Sequence, residues 1–256
     1  MDYRRLNELT VRDCYPLPVI DDVLQRVSKG KNFTQIDLYA GFWQLGVDEN
    51  YIQKTAFVSP VGLFEFVTMP FGLKNAPSTF QRAMEEILKD VLGICCEVYI
   101  DDIIVYSENE QEHSDHVQTV FELIRKAGLS MKIEKCFFGV KTMNLLGYKF
   151  SAQGMTPFPD RCDAIRNFRV PISRTGILRF MGMVRYYQRF CPNLAEISEP
   201  LTKLLRKESN IDQDWGPEQE QAIQHIKNMF LCPNMLAHFN PNLETCLQTD
   251  ASEYAL

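Results

Sequence analysis

The sequence has little of what marks membrane, secreted or zinc-binding proteins. No apolar run approaches the roughly 20 residues that a membrane-spanning helix needs, and no secretory signal peptide opens the chain. The eight cysteines show no Cys-x-x-Cys spacing, which argues against a zinc site and a disulfide framework and favours a reducing compartment. Internal repeats and low-complexity tracts are also lacking.

Histidine is scarce as well, with four residues in the chain. His113 and His116 lie three residues apart, but they fall in the polar start of a predicted helix. We therefore expect them on a solvated helix face rather than on a metal ion.

The charge of the chain is unevenly distributed. The net charge of −6 is untypical of a nucleic-acid-binding protein until it is divided by region. Residues 160–207 hold 10 Lys/Arg against 4 Asp/Glu, a net of +6, whereas residues 1–159 carry −5 and residues 208–256 carry −7. A local basic face of this kind can neutralise phosphates although the whole chain is acidic.

Two adjacent carboxylates, Asp101 and Asp102, interrupt a strand-forming stretch over residues 98–107. Burying two neighbouring like charges is costly. The sequence leaves two interpretations open: a hairpin with both aspartates as its turn residues, or a site where a divalent cation neutralises them. The two are compatible, because the tip of a hairpin can present both carboxylates to one ion.

A third carboxylate, Asp37, ends an earlier predicted strand over residues 33–38. Alternation places Asp37 on the same strand face as Phe33, with Ile36 and Leu38 on the other face. Taken alone, Asp37 is most simply a turn-initiating residue.

The order of predicted elements favours an α+β fold in which two helices pack on one antiparallel sheet, of the ferredoxin-like (split βαβ) kind. In that fold Asp37 and Asp101 lie at the ends of strands that can be neighbours. The pattern predicts helices over residues 20–27, 110–127, 160–168, 173–190, 197–206 and 217–230, with another between the loop 69–78 and Gly93; it predicts strands over 54–58, 63–67, 130–133, 136–138, 144–150 and 245–252.

Four ordered motifs, over residues 33–43, 69–82, 99–102 and 146–154, resemble those of reverse transcriptases, above all the polymerases of gypsy-class LTR retrotransposons. Tyr-Ile-Asp-Asp at 99–102 matches the family's Tyr-x-Asp-Asp box, and Met-Pro-Phe-Gly-Leu-Lys-Asn-Ala-Pro at 69–77 is close to its signature loop. The resemblance covers nearly the whole chain. It implies an RNA-directed DNA polymerase of a Pol polyprotein, used in retrotransposon replication.

The resemblance also implies a right-hand architecture. Partial fingers and a ferredoxin-like palm would occupy residues 1–159, a helical thumb 160–207, a connecting segment 208–240, and the truncated start of an RNase H-like domain 241–256. The basic segment would then be the thumb.

By the same resemblance, Asp37, Asp101 and Asp102 hold two divalent ions, Mg²⁺ with Mn²⁺ as a substitute, for nucleotide transfer to a primer 3′-hydroxyl. Carboxylate oxygens are the ligands that magnesium prefers. Because adjacent side chains on a strand diverge, Asp102 is the weaker candidate for a direct ligand.

The resemblance assigns further roles. The backbone of Ala40 and Gly41 would contact the triphosphate, and Phe71 would pack near the incoming nucleotide. Phe42 would exclude a 2′-hydroxyl, the alternative being ordinary core packing. Expected contacts with template or primer involve Arg4, Asn7, Leu146, Gly147, Tyr148, Arg185 and Arg189, and Asp250 matches the first carboxylate of the RNase H site.

The expected partners are an RNA or DNA template with its primer and dNTPs, with no membrane. The expected location is the cytoplasm, inside a retrotransposon particle, or the nucleus. Since upstream triphosphate-clamping residues and later RNase H carboxylates are not in the sequence, we expect a piece of a longer polyprotein or a decayed element. The alternative function is a catalytically impaired nucleic-acid-binding remnant. A two-metal nuclease is disfavoured because its one candidate site is truncated.

Overall fold

The computed structural model describes residues 1–170, 172–206, 209–231, 233–240, 243, 244 and 246. Asp250 and most of the strand predicted over 245–252 lie outside these residues. The elements are, in chain order, α1 (Arg4–Leu9), α2 (Ile20–Val27), β1 (Asn32–Asp37), β2 (Phe57–Ser59), β3 (Gly62–Phe64), α3 (Ala76–Ile87), β4 (Cys96–Tyr99), β5 (Asp102–Ser107), α4 (Glu110–Lys126), β6 (Phe137–Val140), β7 (Thr142–Leu145), β8 (Tyr148–Ser151), β9 (Gly154–Pro157), α5 (Pro159–Asn167), α6 (Arg174–Tyr186), α7 (Leu194–Ile197), α8 (Glu199–Lys203), α9 (Ile211–Asp214) and α10 (Pro217–Met229).

A four-stranded antiparallel sheet lies at the centre, with the spatial order β4-β5-β1-β6. Helix α3 connects β1 to β4, and α4 connects β5 to β6. Since β5 is antiparallel to both of its neighbours, β1 and β4 run parallel on either side of it. This is the ferredoxin-like, split βαβ arrangement that the element order predicts.

Each face of this sheet covers a separate hydrophobic core. Ile36 of β1 and Leu38 just after its end pack with residues of α3 and α4, such as Phe80 and Ile124. Phe33 packs on the opposite face, in a core formed with α2, the three-stranded sheet β7-β8-β9 and the helices α5, α6, α8 and α10. The alternation predicted for β1 is thus confirmed, and it places Asp37 on the sheet face that points away from α3 and α4.

Several predicted boundaries are wrong for local backbone reasons. The strand predicted over 144–150 is a hairpin, because Leu146 and Gly147 have φ values of 47° and 79° and reverse the chain. The strand predicted over 130–133 is reduced to a single bridge between Leu38 and Met131, followed by a 3₁₀ turn over Ile133–Lys135. The helix predicted over 197–206 is shorter, forming only α8, because α7 already ends at Ile197.

The helix predicted over 173–190 ends at Tyr186, and a 3₁₀ turn follows over Gln188–Phe190. In the hairpin predicted over 54–67, the paired strands are only β2 and β3, since a 3₁₀ turn occupies Ile52–Thr55.

Each cysteine in the described part of the chain is a free thiol. None of the described helices combines the length and apolarity that crossing a bilayer requires.

The expectation of a solvated histidine face is wrong for His113. Its side chain is buried, with Nε2 2.7 Å from Thr34 Oγ1 and Nδ1 2.9 Å from Ser107 Oγ. The two hydroxyls offset the cost of burying the ring, and burial lowers the pKa of His113. The sequence pattern does not reveal this burial, because histidine is counted in it as a polar residue.

An ion pair connects α2 to the edge of the central sheet. Arg26 Nε lies 2.5 Å from Glu97 Oε1, and the Glu97 side chain is only 3% exposed. Burial raises the pKa of Glu97, while the hydrogen bond from Arg26 opposes that rise. Glu97 therefore depends on Arg26 for the neutralisation of a buried charge.

We predict that Arg26→Leu lowers the free energy of unfolding by about 3 kcal/mol, because it leaves a buried charge unpaired. The pKa of Glu97 then rises further in the folded state, so the loss should be smaller near about pH 5 than near about pH 8. Urea denaturation at both pH values measures this.

Two further variants test whether the loss of stability comes from the unpaired charge of Glu97 rather than from the mere removal of a basic side chain. The double variant Arg26→Leu/Glu97→Leu should recover most of the stability, since no charge remains buried. Lys31→Leu removes an exposed pair with Glu108 and should cost less than about 1 kcal/mol. Equal costs for Arg26→Leu and Lys31→Leu would contradict the argument.

Candidate active site

Two carboxylates lie side by side at one end of the central sheet. Asp37 ends β1 and Asp102 begins β5, and the two are register partners in the antiparallel pair. Directly paired residues of such strands project to the same face. Asp102 Oδ1 accepts a 3.0 Å hydrogen bond from Gln35 Nε2, and Asp37 Oδ2 lies 3.7 Å from Lys135 Nζ.

The third carboxylate, Asp101, lies in the turn between β4 and β5. Because Tyr99 pairs with Asp102, the two turn residues are Ile100 and Asp101, and the sequence interpretation that put both aspartates in the turn is wrong by one residue. Ile100 has a φ of 53°, a left-handed conformation that is unfavourable for a β-branched residue. The hairpin tip thus exposes Asp101 and is strained.

Asp101 faces the chain segment that follows β1. Ala40, with a φ of 48°, turns the chain into a short 3₁₀ turn over Gly41–Gln44. A Cβ atom on Gly41 would lie only 3.2 Å from Asp101 Oδ1 and 2.9 Å from the Phe80 ring. The absence of a side chain at Gly41 therefore leaves room beside the Asp101 carboxylate.

Neighbouring carboxylates disfavour the ionisation of Asp101 and Asp102. The pKa of Asp101 is raised by loss of hydration and then by the charges of Asp102 and Asp37, against a smaller opposite effect of Lys135. The pKa of Asp102 is raised by burial and by Asp37, while the hydrogen bond from Gln35 opposes the rise. A cation bound here would relieve the repulsion.

The donor atoms suit a hard divalent cation, since all three side chains offer carboxylate oxygens. No group of three His, Cys, Asp or Glu side chains within the described ranges is already spaced as a full ligand set. Magnesium commonly takes one or two carboxylates and completes its shell with water and substrate phosphates. The residues present therefore fit a metal that is shared with a substrate.

Aromatic side chains form a wall next to this end of the sheet. The Phe42 ring lies 5.2 Å from Phe80 and 5.3 Å from Phe71, and Trp43 lies 5.8 Å from Phe71. Phe80 belongs to the core, whereas Phe71 is 52% exposed. Phe42 thus connects the core to an open surface beside Gly41.

The turn between β7 and β8 is fixed by the end of α6. Tyr186 Oη donates to the Leu146 carbonyl over 2.7 Å, and Tyr187 Oη donates to the Gly147 carbonyl over 2.9 Å. Tyr148 is buried, and its hydroxyl donates back to the Tyr186 carbonyl. The segment 146–148, which is predicted to contact template or primer, is therefore fixed by hydrogen bonds from α6 and the residue after it.

The other side chains predicted to contact template or primer have different surroundings. Asn7 donates to the Gly72 carbonyl and accepts from the Lys74 amide, so its side chain holds the 69–78 loop. Arg4 is exposed and pairs with Asp2. Arg189 pairs with Asp21 and lies 5.6 Å from the centre of the Tyr148 ring.

Arg185 is exposed, and no hydrogen bond or ion pair of its side chain occurs within the described residues. A nucleic-acid contact of any of these side chains stays a prediction. The internal bonds of Asn7 and Arg189 give both side chains a structural role within the chain.

Sequence reasoning missed the side chains that hold two of the aspartates, Gln35 at Asp102 and Lys135 at Asp37. Gln35 shares a strand face with Asp37 two residues away, which is a usable signal. Lys135 lies almost one hundred residues from Asp37, and nothing local in the sequence connects them.

Two family models match parts of this chain. A model of the reverse transcriptase (RNA-dependent DNA polymerase) family matches residues 1–150. A model of the RNase H-like domain found in reverse transcriptase matches residues 215–256.

Two curated relatives match the whole chain. The retrovirus-related Pol polyprotein from transposon 297 of Drosophila melanogaster is 40% identical over 256 residues, which are 24% of its length. The transposon Tf2-3 polyprotein of Schizosaccharomyces pombe is 33% identical over the same span, 19% of its length. The chain thus spans a small part of the polyproteins it matches.

Solved structures share the fold. A foamy viral protease-reverse transcriptase in complex with double-stranded DNA gives a TM-score of 0.85 at 24% identity, over 94% of this chain and 42% of that one. The same type of protein in complex with an RNA/DNA hybrid gives 0.79 at 24% identity, over 93% and 32%. Since the family model covers more than half of the residues, the chain belongs to the reverse transcriptase family.

Proposed function

We propose that this chain carries the polymerase site of an RNA-directed DNA polymerase that acts in retrotransposon replication. The observation that carries the proposal is the placement of Asp37 and Asp102 on neighbouring strands beside the exposed, strained tip that bears Asp101. A buried structural role does not explain three mutually repelling carboxylates at one open edge.

The domains follow from this proposal. Residues 1–159 act as partial fingers and palm, 160–207 as the thumb, 208–240 as a connecting segment, and 241–256 as the beginning of an RNase H-like domain. The reverse transcriptase family model over residues 1–150 supports the polymerase part, and the RNase H-like model over residues 215–256 supports the last part; the boundaries between the four parts stay predictions.

Reverse transcriptases depend on divalent metal ions as a class. In this chain Asp37, Asp101 and Asp102 would hold two Mg²⁺ ions, for which Mn²⁺ can substitute. When bound, such ions stabilise charge on the attacking and leaving oxygens and lower the pKa of the primer 3′-hydroxyl. Lys135 and Gln35 orient Asp37 and Asp102, respectively, toward the same face.

The chain following β1 is suited to bind a nucleotide. The first amides of the 3₁₀ turn over Gly41–Gln44 have no acceptor inside that turn, so they can donate to a triphosphate. Phe42, within this turn, belongs to the aromatic wall, where its ring can exclude the 2′-hydroxyl of a ribonucleotide. Phe71 is the exposed member against which the incoming base can pack.

The basic segment 160–207 supports binding of a primer–template. Exposed arginines spread over α5 and α6 and the segment between them: Arg161, Arg169, Arg179 and Arg185. The solved relatives are complexes with double-stranded DNA and with an RNA/DNA hybrid. We infer the same class of ligand for this chain, bound with strong salt dependence because phosphate contacts release counterions.

Asp101→Asn should reduce primer extension on an RNA template at least about 100-fold, a loss of about 2.7 kcal/mol of transition-state stabilisation. The same change removes a repelling charge, so the free energy of unfolding without metal should stay equal or rise by up to about 1 kcal/mol. Gel-based extension with Mg²⁺ and thermal denaturation measure the two effects.

Asp115→Asn on α4 is the matched control, since it removes another exposed carboxylate away from the sheet end and should leave extension unchanged. Primer extension by Asp101→Asn at the level of the unaltered chain would refute the proposed site. A chain that binds primer–template with strong salt dependence yet incorporates no nucleotide would instead be a catalytically impaired nucleic-acid-binding remnant.

Phe42→Ala should raise the use of rNTPs relative to dNTPs at least about tenfold, because the ring that would meet a 2′-hydroxyl is gone. Single-nucleotide incorporation with matched dNTP and rNTP pairs measures the ratio of kcat/KM. Phe138→Ala on β6 removes another partly exposed ring and should leave the ratio unchanged. An unaltered ratio in Phe42→Ala would mean that Phe42 serves only in packing.

A further inference from the structure

A fully buried glutamine lies under the hairpin that carries Asp101. Gln81, on α3, has a side chain with no exposed surface. Its Oε1 accepts a 2.6 Å hydrogen bond from the backbone N–H of Ile100. Its Nε2 donates to the Val98 carbonyl over 3.0 Å and to Glu85 Oε1 over 2.7 Å.

The bond to Ile100 falls on the strained residue of the turn. A left-handed φ at a β-branched residue persists only where surrounding contacts determine it. In a two-residue turn the Ile100 N–H has no place in the β-ladder, so Gln81 supplies its acceptor. The next residue is Asp101, whose carboxylate lies close to Gly41.

The orientation of the Gln81 amide is fixed from the other side. The Val98 carbonyl and the Glu85 carboxylate only accept hydrogen bonds, so they hold Nε2 toward themselves and leave Oε1 for Ile100. Glu85 in turn accepts a hydrogen bond from Tyr15 Oη. A chain of contacts thus runs from Tyr15, near the surface, to the tip of the hairpin.

We propose that Gln81 is a positioning residue for Asp101, and that the contact between Glu85 and Tyr15 sets the orientation in which Gln81 acts. The inference rests on the proposed function, since it concerns the same carboxylate. A buried amide with all partners satisfied rigidifies the backbone it bonds, and here that backbone carries a candidate metal ligand.

The test replaces Gln81 by methionine, which keeps the length of the side chain and removes both hydrogen-bonding groups. Mn²⁺ binding is measured directly by electron paramagnetic resonance, and kcat, KM for dNTP and primer–template affinity are measured by extension and titration. We expect Mn²⁺ binding and kcat to fall about tenfold, as is typical when a residue that holds a metal ligand in place is removed. Primer–template affinity should stay within about twofold.

The matched control is Gln118→Met on α4. Gln118 also bonds a glutamate four residues on, Glu122, but on an exposed helix face, so all values should match those of the unaltered chain.

If folded Gln81→Met binds Mn²⁺ and turns over within about twofold of the unaltered chain, the inference is overturned. If Gln81→Met does not fold, Tyr15→Phe takes its place and should weaken Mn²⁺ binding detectably; unchanged binding there also overturns the inference. Failure of the unaltered chain to extend a primer would refute the proposed function instead, while the Mn²⁺ measurements still decide the role of Gln81.

Discussion

Repulsion among three carboxylates at one open end of a sheet is the constraint on which the site depends. The register of β1 against β5 forces Asp37 and Asp102 onto the same face, and a strained turn holds Asp101 beside them. Burial and the charge of Asp37 raise the pKa of Asp101 and of Asp102, so the arrangement costs stability. Such a cost is typical of a site that is built for function.

The rest of the fold keeps this end of the sheet rigid and open. Cores on both faces fix the strands, with α3 and α4 beneath and α2, β7-β9 and the later helices above. Arg189 connects the end of α6 to Asp21 of α2 and lies over Tyr148, while Tyr186 fixes the turn at Leu146. These contacts join the basic helices to α2 and to the turn between β7 and β8.

Strand alternation and element order were enough to predict the sheet, both of its helices and the shared face of Asp37 and Phe33. The turn was mispredicted by one residue, because nothing in the sequence indicates that Ile100 adopts a left-handed φ. His113 was mispredicted because its hydroxyl partners, Thr34 and Ser107, lie on β1 and β5 rather than on its own helix. Lys135 and Gln81 were missed because their contacts with the site arise only from tertiary packing.

The central claim is that these carboxylates act together on divalent cations. Anomalous diffraction from crystals of the chain with an RNA template, a dideoxy-terminated primer, the next dNTP and Mn²⁺ tests it most directly. The account predicts anomalous peaks in contact with the carboxylates of Asp37 and Asp101, next to the triphosphate. A bound dNTP with Mn²⁺ only at sites remote from both aspartates would contradict it.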